Sequence, residues 1–236
     1  MPTTGGTAQE PQGSGRLGEV VRTAQEKILN PKTVTLYGGV AADAPVLVVL
    51  AAGKGTRFGQ DPKCIQMVHG TPLARHAIDA FRRVSPSPVL CVVGYRHTEV
   101  STALGGDNVY VLSGNPTGGT AFAVAEAFSV SELLDENPLV VVTMGDRIVP
   151  SSVFRRLLET HRMWGGEAAL TLLTAHYEPP KNRGKGRVLR GGDGRVVRIV
   201  EEKDIAAEPD EPRRRALLDL TEGNCPLYVV RSEEHT

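Results

Sequence analysis

The stretch VLVVLAAGKGTRFGQDPK, Val46 to Lys63, joins a near-continuous apolar run to a glycine-rich loop that closes on a proline and a lysine. An apolar run of this kind, bounded by Pro45 and Gly53, is what a strand buried on both faces requires. A glycine loop placed directly after such a strand is where an α/β sheet brings backbone N–H groups to a phosphate. Two familiar loop types are excluded by spacing. A dinucleotide loop needs GxGxxG, and Gly53-Lys54-Gly55-Thr56-Arg57 has no third glycine in place; a P-loop needs GxxxxGK[ST], and here Gly53-Lys54 is followed by Gly55. What remains is LxAGxGxR, with a lysine after proline six residues further on. Small residues admit a nucleotide close to the backbone. Arg57 and Lys63 add two fixed positive charges suited to a triphosphate. The competing reading is a structural turn with two surface cations, and the strand context together with both cations weighs against it.

Outward from this stretch the pattern is regular. Leu73, Ala77, Ile78, Phe81 and Val84 mark one face of a helix, VLCVV a second strand and VYVL a third. TAFAVAEAF reads as a small-residue helix, LVVVT as a fourth strand, and Ser151 to Met163 as a helix with Ser151 or Ser152 as its cap. Strands alternating with helices predict an α/β fold, a three-layer α/β/α Rossmann-like arrangement around a mostly parallel sheet. Its ligand site belongs at the carboxyl ends of the strands, where the strand order reverses. The last third differs: GRVLR-GGDG-RVVRIVEE reads as a hairpin with a glycine-rich turn, and CPLYVV as a further strand. Before the regular part, residues 1 to about 15 have the composition of a disordered segment. Leu17, Val20, Val21, Ala24 and Ile28 then recur at helical spacing up to Asn30-Pro31, and TVTLY is a possible short strand.

Bulk composition narrows the function. Of 236 residues, 27 are basic and 27 acidic, so the formal net charge is zero. This disfavours a partner such as nucleic acid or an anionic membrane surface. Aromatic residues make up only 5%, too few for a base-stacking surface. The three cysteines are odd in number, widely spaced and form no CxxC pair, as expected of reduced thiols in a cytoplasmic protein. No apolar stretch approaches the ~20 residues that span a bilayer, and the first residues carry no secretory pattern.

The final residues, RSEEHT, follow directly on a core-type strand. One reverse translation of Arg231 to Thr236, AGA TCG GAA GAG CAC ACG, is a sequencing-library adapter. The expectation is therefore that 231–236 is a non-native tail and that the reading frame is truncated at its C-terminus; re-amplifying the locus and finding a stop codon directly after a genuine Thr236 would overturn this.

Leu50-Ala51-Ala52-Gly53-Lys54-Gly55-Thr56-Arg57 with Pro62-Lys63 resembles the signature of the sugar-1-phosphate nucleotidyltransferases, most closely the uridylyltransferase domain of the bacterial N-acetylglucosamine-1-phosphate enzymes. Five further motifs follow in the family's order. Gly119-Thr120 stands where the family contacts the nucleoside, and Gly145-Asp146 where it holds a metal ion. GKGRV, Gly184 to Val188, is similar to its GYGR motif. VEEKD, Val200 to Asp204, is similar to its VExKD, and Glu222-Gly223-Asn224 to its sugar-contacting ExN. The resemblance covers about Val46 to Val230 and implies an N-terminal extension over 1–44 and a nucleotidyltransferase domain over 45–230.

It further implies an Mg²⁺-dependent enzyme that joins an NTP to a sugar 1-phosphate, such as UTP to N-acetylglucosamine 1-phosphate, with release of pyrophosphate. Arg57, Lys63 and Asp146 would be catalytic, Asp146 as the metal ligand. Residues Leu50, Ala51, Ala52, Gly53, Lys54, Gly55 and Thr56, with Gly119 and Thr120, would hold the nucleotide. Gly186, Glu201, Lys203 and Asn224 would hold the acceptor. Taken singly, a turn aspartate, a strand glycine or a surface Glu, Lys or Asn is unremarkable; the argument rests on their joint order.

The chain also departs from the pattern. LSGNPTGGTA lacks the glutamine with which the family reads uracil, Asn224-Cys225-Pro226 replaces Asn-Thr-Gly, and Arg147 adds a cation beside Asp146. These departures motivate an alternative with the same chemistry: guanylyl or other nucleotidyl transfer to a cyclitol or unusual sugar phosphate, resembling the valienol-1-phosphate guanylyltransferases. A cytidylyltransferase of the isoprenoid type is disfavoured because its HDAARP-like motif is missing. From another class, a regulatory domain that binds a nucleotide-sugar without turnover would not demand Arg57, Lys63 and Asp146 together.

Overall fold

The computed structural model describes residues 28–29, 44–55, 59–87, 89–131, 139–165, 168–178 and 184–231. At its centre lies β1 (Val46–Ala51), every residue of which is buried. Parallel to it on one side runs β4 (Val89–Val93), followed by β5 (Val109–Leu112); on the other side runs β6 (Leu139–Met144). The sheet has eight strands, and its parallel half, in the order β5-β4-β1-β6, is the arrangement expected from strands alternating with helices. Because β4 and β6 lie on opposite sides of β1, the order reverses at the carboxyl end of β1. That crevice is the switch point of the sheet.

Beyond β6 the sheet turns antiparallel. The long strand β10 (Glu222–Arg231) pairs with β6 through its second half and with β7 (Leu170–His176) along its length. Its first half meets β8 (Arg187–Arg190), which forms the expected hairpin with β9 (Val196–Val200). The register of β10 shifts between Cys225 and Tyr228, around Pro226, whose missing N–H cannot continue the ladder. A two-strand ribbon, β2 (Met67–Val68) and β3 (Thr71–Pro72), stands apart.

Helices cover both faces. On one face lie α1 (Leu73–Arg82), α2 (His97–Leu104) and α4 (Ser151–Met163); on the other lies α3 (Gly119–Ser131). The periodicity of α1 turns Ala74, Ala77, Ile78 and Phe81 inward, and Phe81 meets Phe154 of α4 edge-to-face at 5.5 Å between ring centroids. Across the sheet, Ala123, Ala127 and Phe128 of α3 close a second core over β1, β4 and β6. Two short helices, α5 (Glu202–Ala206) and α6 (Glu211–Leu218), pack beside the β8–β9 hairpin through Val200, Ile205 and Leu217.

Two local expectations are corrected. Neither Ser151 nor Ser152 caps α4: Pro150 takes the cap position with no side-chain hydrogen bond, and its fixed φ sets the entry to the helix. Ile28, expected to end a helix, instead forms an antiparallel bridge with Val111, while Leu29 N–H donates to the Tyr110 carbonyl at 2.9 Å. The unpaired backbone groups of edge strand β5 recruit this segment. The rest of that helix, TVTLY and residues 232–236 lie outside the described residues; Arg231 closes β10 opposite Leu139.

Phe154 is fully buried at the contact between α1 and α4. Phe154→Ala is expected to destabilise the domain by about 3–5 kcal/mol. Urea denaturation checks this, and a loss below about 1 kcal/mol would mean that this contact is not part of the core.

Candidate active site

The first layer of the site is backbone at the carboxyl ends of the parallel strands. As β1 ends, the Leu50 carbonyl accepts from Gly145 N–H (2.9 Å) and the Ala52 carbonyl from Tyr95 N–H (3.1 Å), so the exits of β6 and β4 are both pinned to β1. Leu50 and Ala51 belong to the strand itself with buried side chains; they hold the loop in place, whereas Gly53 and Lys54 are exposed on the loop that follows. The Lys54 ammonium lies over the Tyr95 ring, 5.5 Å from its centroid. Gly55 adopts φ +59°, and a Cβ there would stand 3.2 Å from Lys63 Cβ, so the loop folds flat against Lys63. Thr56 and Arg57 lie outside the described residues.

The placement of Lys63 follows from its neighbours. Pro62 opens a single 3₁₀ turn, Lys63–Ile65, in which Cys64 is buried and its two flanking side chains are not. Cys64 lies directly under Gly145: a Cβ on that glycine would approach Cys64 Cβ to 3.2 Å and the Leu50 carbonyl to 3.1 Å. Cys64 in the core therefore sets Lys63 at the rim, where its Nζ donates to Asp146 Oδ2 at 2.7 Å. From the other direction, Arg96 anchors the preceding loop, with Nη1 2.6 Å from Asp61 Oδ1 and Nε donating to Glu99 Oε1 at 2.6 Å.

Asp146 has the properties of a cation ligand. One carboxylate oxygen engages Lys63; the other, Oδ1, is buried and accepts no hydrogen bond among the described residues, with Arg147 Nε at 3.6 Å. A buried carboxylate oxygen left in this state fits a hard divalent ion such as Mg²⁺. Among the described residues no three or more His, Cys, Asp or Glu side chains gather, and Asp146 would hold such an ion together with substrate phosphate oxygens and water.

The loop from β5 to α3, Ser113 to Gly118, forms the adjoining wall. Gly114 N–H donates to the buried Glu126 carboxylate at 2.7 Å, and Asn115 Oδ1 accepts from the Thr117 N–H and hydroxyl at 3.2 and 2.9 Å. Pro116 packs against Gly94, where a Cβ would come within 2.9 Å of both Pro116 Cγ and the Ala52 carbonyl. Gly119 and Thr120 open α3 at this end of the sheet, both exposed, and Gly119 has φ +85° with free space around it.

A third wall comes from the antiparallel half and unites residues distant in sequence. Asn224 N–H donates to the Gly186 carbonyl at 2.8 Å, and Glu201 Oε1 lies 3.2 Å from where a Gly186 Cβ would stand. Gly186, Glu201 and Asn224 thus form one cluster. Asn224 Nδ2 donates to the Tyr228 hydroxyl at 2.7 Å, and burial pushes the Tyr228 phenol up. Beneath the cluster, the Arg187 guanidinium stacks on Tyr177 at 3.2 Å from the ring centroid. Lys203 is exposed on α5 and forms no ion pair with Glu201 or Glu202 among the described residues. A cavity of about 340 Å³ lined by Leu189, Val200, Leu217 and Leu220 lies between the hairpin and α6 and includes none of these residues.

The family model for the MobA-like NTP transferase domain matches residues 47–182, which contain β1, its loop and the Gly145-Asp146 turn. The chain belongs to this NTP transferase family. It is 37% identical over 166 residues to the bifunctional protein GlmU of Lactobacillus delbrueckii subsp. bulgaricus, covering 70% of this chain and 34% of that protein. With the GlmU of Cupriavidus pinatubonensis it shares 35% identity over 189 residues, covering 78% and 38%. The chain therefore spans a little over a third of the length of these curated relatives.

Among solved structures, the inositol-1-phosphate CTP transferase from T. maritima has a TM-score of 0.55 at 17% identity, covering 82% of this chain and 72% of that one. CMP:2-keto-3-deoxy-manno-octonic acid synthetase complexed with CTP has a TM-score of 0.56 at 12% identity, covering 82% and 75%. These two likenesses concern the fold.

The transferase domain also contains functional candidates that the motifs do not reveal: Tyr95, Arg96, Glu126, Lys185 and Tyr228. Arg96 and Glu126 brace loops from outside any motif, so their part is visible only in the contacts. Lys185 and Tyr228 sit inside quoted segments, GKGRV and CPLYVV, and are assigned no part there.

The cysteines give a test of this geometry. Burial pushes the Cys64 thiol up to about 11 and raises Cys91 further, whereas Cys225 is only half-buried at the third wall. Iodoacetamide at pH 8 is expected to label Cys225 in the native protein and all three thiols only after unfolding. Peptide mass mapping reads the outcome; native labelling of Cys64 at the rate of Cys225 would contradict its place beneath Gly145.

Proposed function

We propose that this transferase domain moves a nucleoside monophosphate from an NTP onto the phosphate of a sugar or sugar-like acceptor and releases pyrophosphate. The observation that carries the reading is the 2.7 Å pair of Lys63 and Asp146 at the switch point, with a second, buried carboxylate oxygen that accepts no hydrogen bond among the described residues. A domain that only sensed a nucleotide-sugar would not require a cation and a carboxylate to converge at the carboxyl end of β1.

In this reaction an acceptor phosphate oxygen attacks the α-phosphorus in line. The new O–P bond forms as the bond from the α-phosphorus to the bridging oxygen breaks, and pyrophosphate leaves with that electron pair. The attacking phosphate is already anionic near neutral pH, so the protein need not remove a proton. Its task is positioning and charge neutralisation. The Gly53 to Gly55 backbone cradles the phosphates, and Lys63 exchanges part of its hold on Asp146 for triphosphate oxygens. Arg57 would supply a second cation. Mg²⁺ held by Asp146 would neutralise charge on the triphosphate and the leaving group. Gly119 and Thr120 face the nucleoside, while Gly186, Glu201, Lys203 and Asn224 serve the acceptor.

UTP and N-acetylglucosamine 1-phosphate are the pair that the family resemblance suggests. A second reading keeps the chemistry and changes base and acceptor, as in guanylyl transfer to a cyclitol phosphate. Two observations favour it: LSGNPTGGTA holds no glutamine and Asn115 spends its side-chain oxygen on its own loop, and Cys225 stands in the acceptor wall. Pyrophosphate release from a panel of NTPs and acceptors separates the pairings.

In the full chain, Asp146→Asn is expected to lower Mg²⁺-dependent pyrophosphate release by about a thousandfold, and Lys63→Ala by about 10²–10³-fold. EDTA should abolish turnover in the unmodified protein and added Mg²⁺ restore it. Near-normal turnover of the Asp146→Asn protein would refute the assignment.

A further inference from the structure

The described phenylalanines are interior with one exception. Phe81 and Phe154 are fully buried and Phe128 is 8% exposed, whereas Phe122 is 40% exposed. It meets no other aromatic ring among the described residues. Phe122 stands on the first turn of α3 and ends a run of exposed residues that begins at Gly114; the core starts only at Ala123. An exposed apolar side chain needs no partner in itself. The place of this ring is what points to one.

Side chains on a helix lean toward its N-terminus, so Phe122 reaches back over the residue four positions before it. That residue is Gly118, where a Cβ would come within 2.9 Å of Phe122 Cγ and 3.0 Å of Asn115 Nδ2. The bare backbone of Gly118 therefore admits the ring. Beside it, Gly119 has nothing within 4 Å of where its Cβ would stand. The same loop reaches the end of β1. Pro116 packs on Gly94, whose own added Cβ would be equally close, 2.9 Å, to the Ala52 carbonyl. Gly53, which follows Ala52, again has nothing within 4 Å of an added Cβ. The ring thus overhangs the loop that closes on the carboxyl ends of β4 and β1, with unfilled space at both Gly119 and Gly53.

We propose that Phe122 is the platform on which the nucleobase of the NTP stacks. This rests on the nucleotidyl-transfer reading and adds to it a residue outside the Gly119-Thr120 pair. A base is a flat π-system, and laying one face on the ring removes apolar area of both from water. The ordering cost is small because Gly118 already seats the ring. Stacking does not read the edge of the base. It supplies nucleoside affinity in a loop that holds no glutamine and whose Asn115 has committed its side-chain oxygen to Thr117. A single ring suits a mononucleotide, whereas a nucleic-acid strand needs several in succession. No bond is made or broken at Phe122.

The test compares NTP with inorganic tripolyphosphate, which carries the phosphate charge without a base. In the full chain, Phe122→Ala should raise KM for the preferred NTP by about tenfold or more, the size of one base–ring contact. It should leave kcat and the inhibition constant of tripolyphosphate unchanged, while Phe122→Tyr and Phe122→Trp keep the low KM. A loop merely loosened by the substitution would weaken both ligands alike. Phe122→Trp also gives a readout independent of turnover: its added fluorescence should be quenched by NTP and not by tripolyphosphate. The unmodified protein, whose single tryptophan is Trp164 at the end of α4, should show no such quenching. An NTP KM untouched by Phe122→Ala, or an equal loss for tripolyphosphate, overturns the proposal and leaves nucleotidyl transfer standing. Absence of pyrophosphate release with every NTP and acceptor overturns the transfer reading, and the fluorescence result then decides stacking by itself.

Discussion

The hydrogen bond from Gly145 N–H to the Leu50 carbonyl is the constraint on which the rest of the site depends. It fastens the exit of β6 to the last turn of β1, and the absence of a side chain at Gly145 lets Cys64 pack directly beneath. With that contact made, Lys63 and Asp146, far apart in the chain, stand 2.7 Å apart at the rim of the sheet. A Cβ at position 145 would stand only 3.1 Å from the Leu50 carbonyl and 3.2 Å from Cys64 Cβ, so a side chain there would press on both. The chemistry proposed here therefore rests on a backbone contact and a glycine as much as on the two charged groups.

Around this point the walls are rigid for related reasons. Gly94 permits Pro116 to lie against the end of β4, Glu126 holds the start of the same loop from below, and Arg96 ties the segment before Pro62 to α2. Each contact consumes backbone or side-chain groups that an unbraced loop would leave to solvent, so the loops meet a substrate already ordered. The antiparallel half is built differently. There one long strand, β10, passes from β6 to β8; Asn224 and Cys225 stay paired with β7, and the register shifts just after them, around Pro226. The parallel half thus carries the groups assigned to phosphate chemistry, and the antiparallel half those assigned to the acceptor.

The sequence is most legible where periodicity has a single reading. The VLVVLA, VLCVV, VYVL and LVVVT runs, the face of α1 and the β8–β9 hairpin all appear where the pattern places them. Expectations fail where tertiary contacts override a local preference. Ile28 sits at helical spacing but is drawn onto the open edge of β5, and the α4 serines lose the cap position to Pro150. Strand β7 and helix α2 carry no distinct period, because their residues are stabilised by partners rather than by pattern. Of the residues that the ordered motifs single out, the fold brings Lys63 to Asp146 and gathers Gly186, Glu201 and Asn224, whereas Arg96 and Glu126 act through contacts that no spacing records.

By itself, then, the sequence determined the α/β architecture and the kind of loop after β1. Strand burial and glycine spacing are local properties, set by neighbouring residues along the chain. The tertiary structure alone decided that Lys63 meets Asp146 and that Gly186, Glu201 and Asn224 share one wall. Those facts depend on strand register and on which side chains fill the space between strands, and both emerge only when distant segments pack.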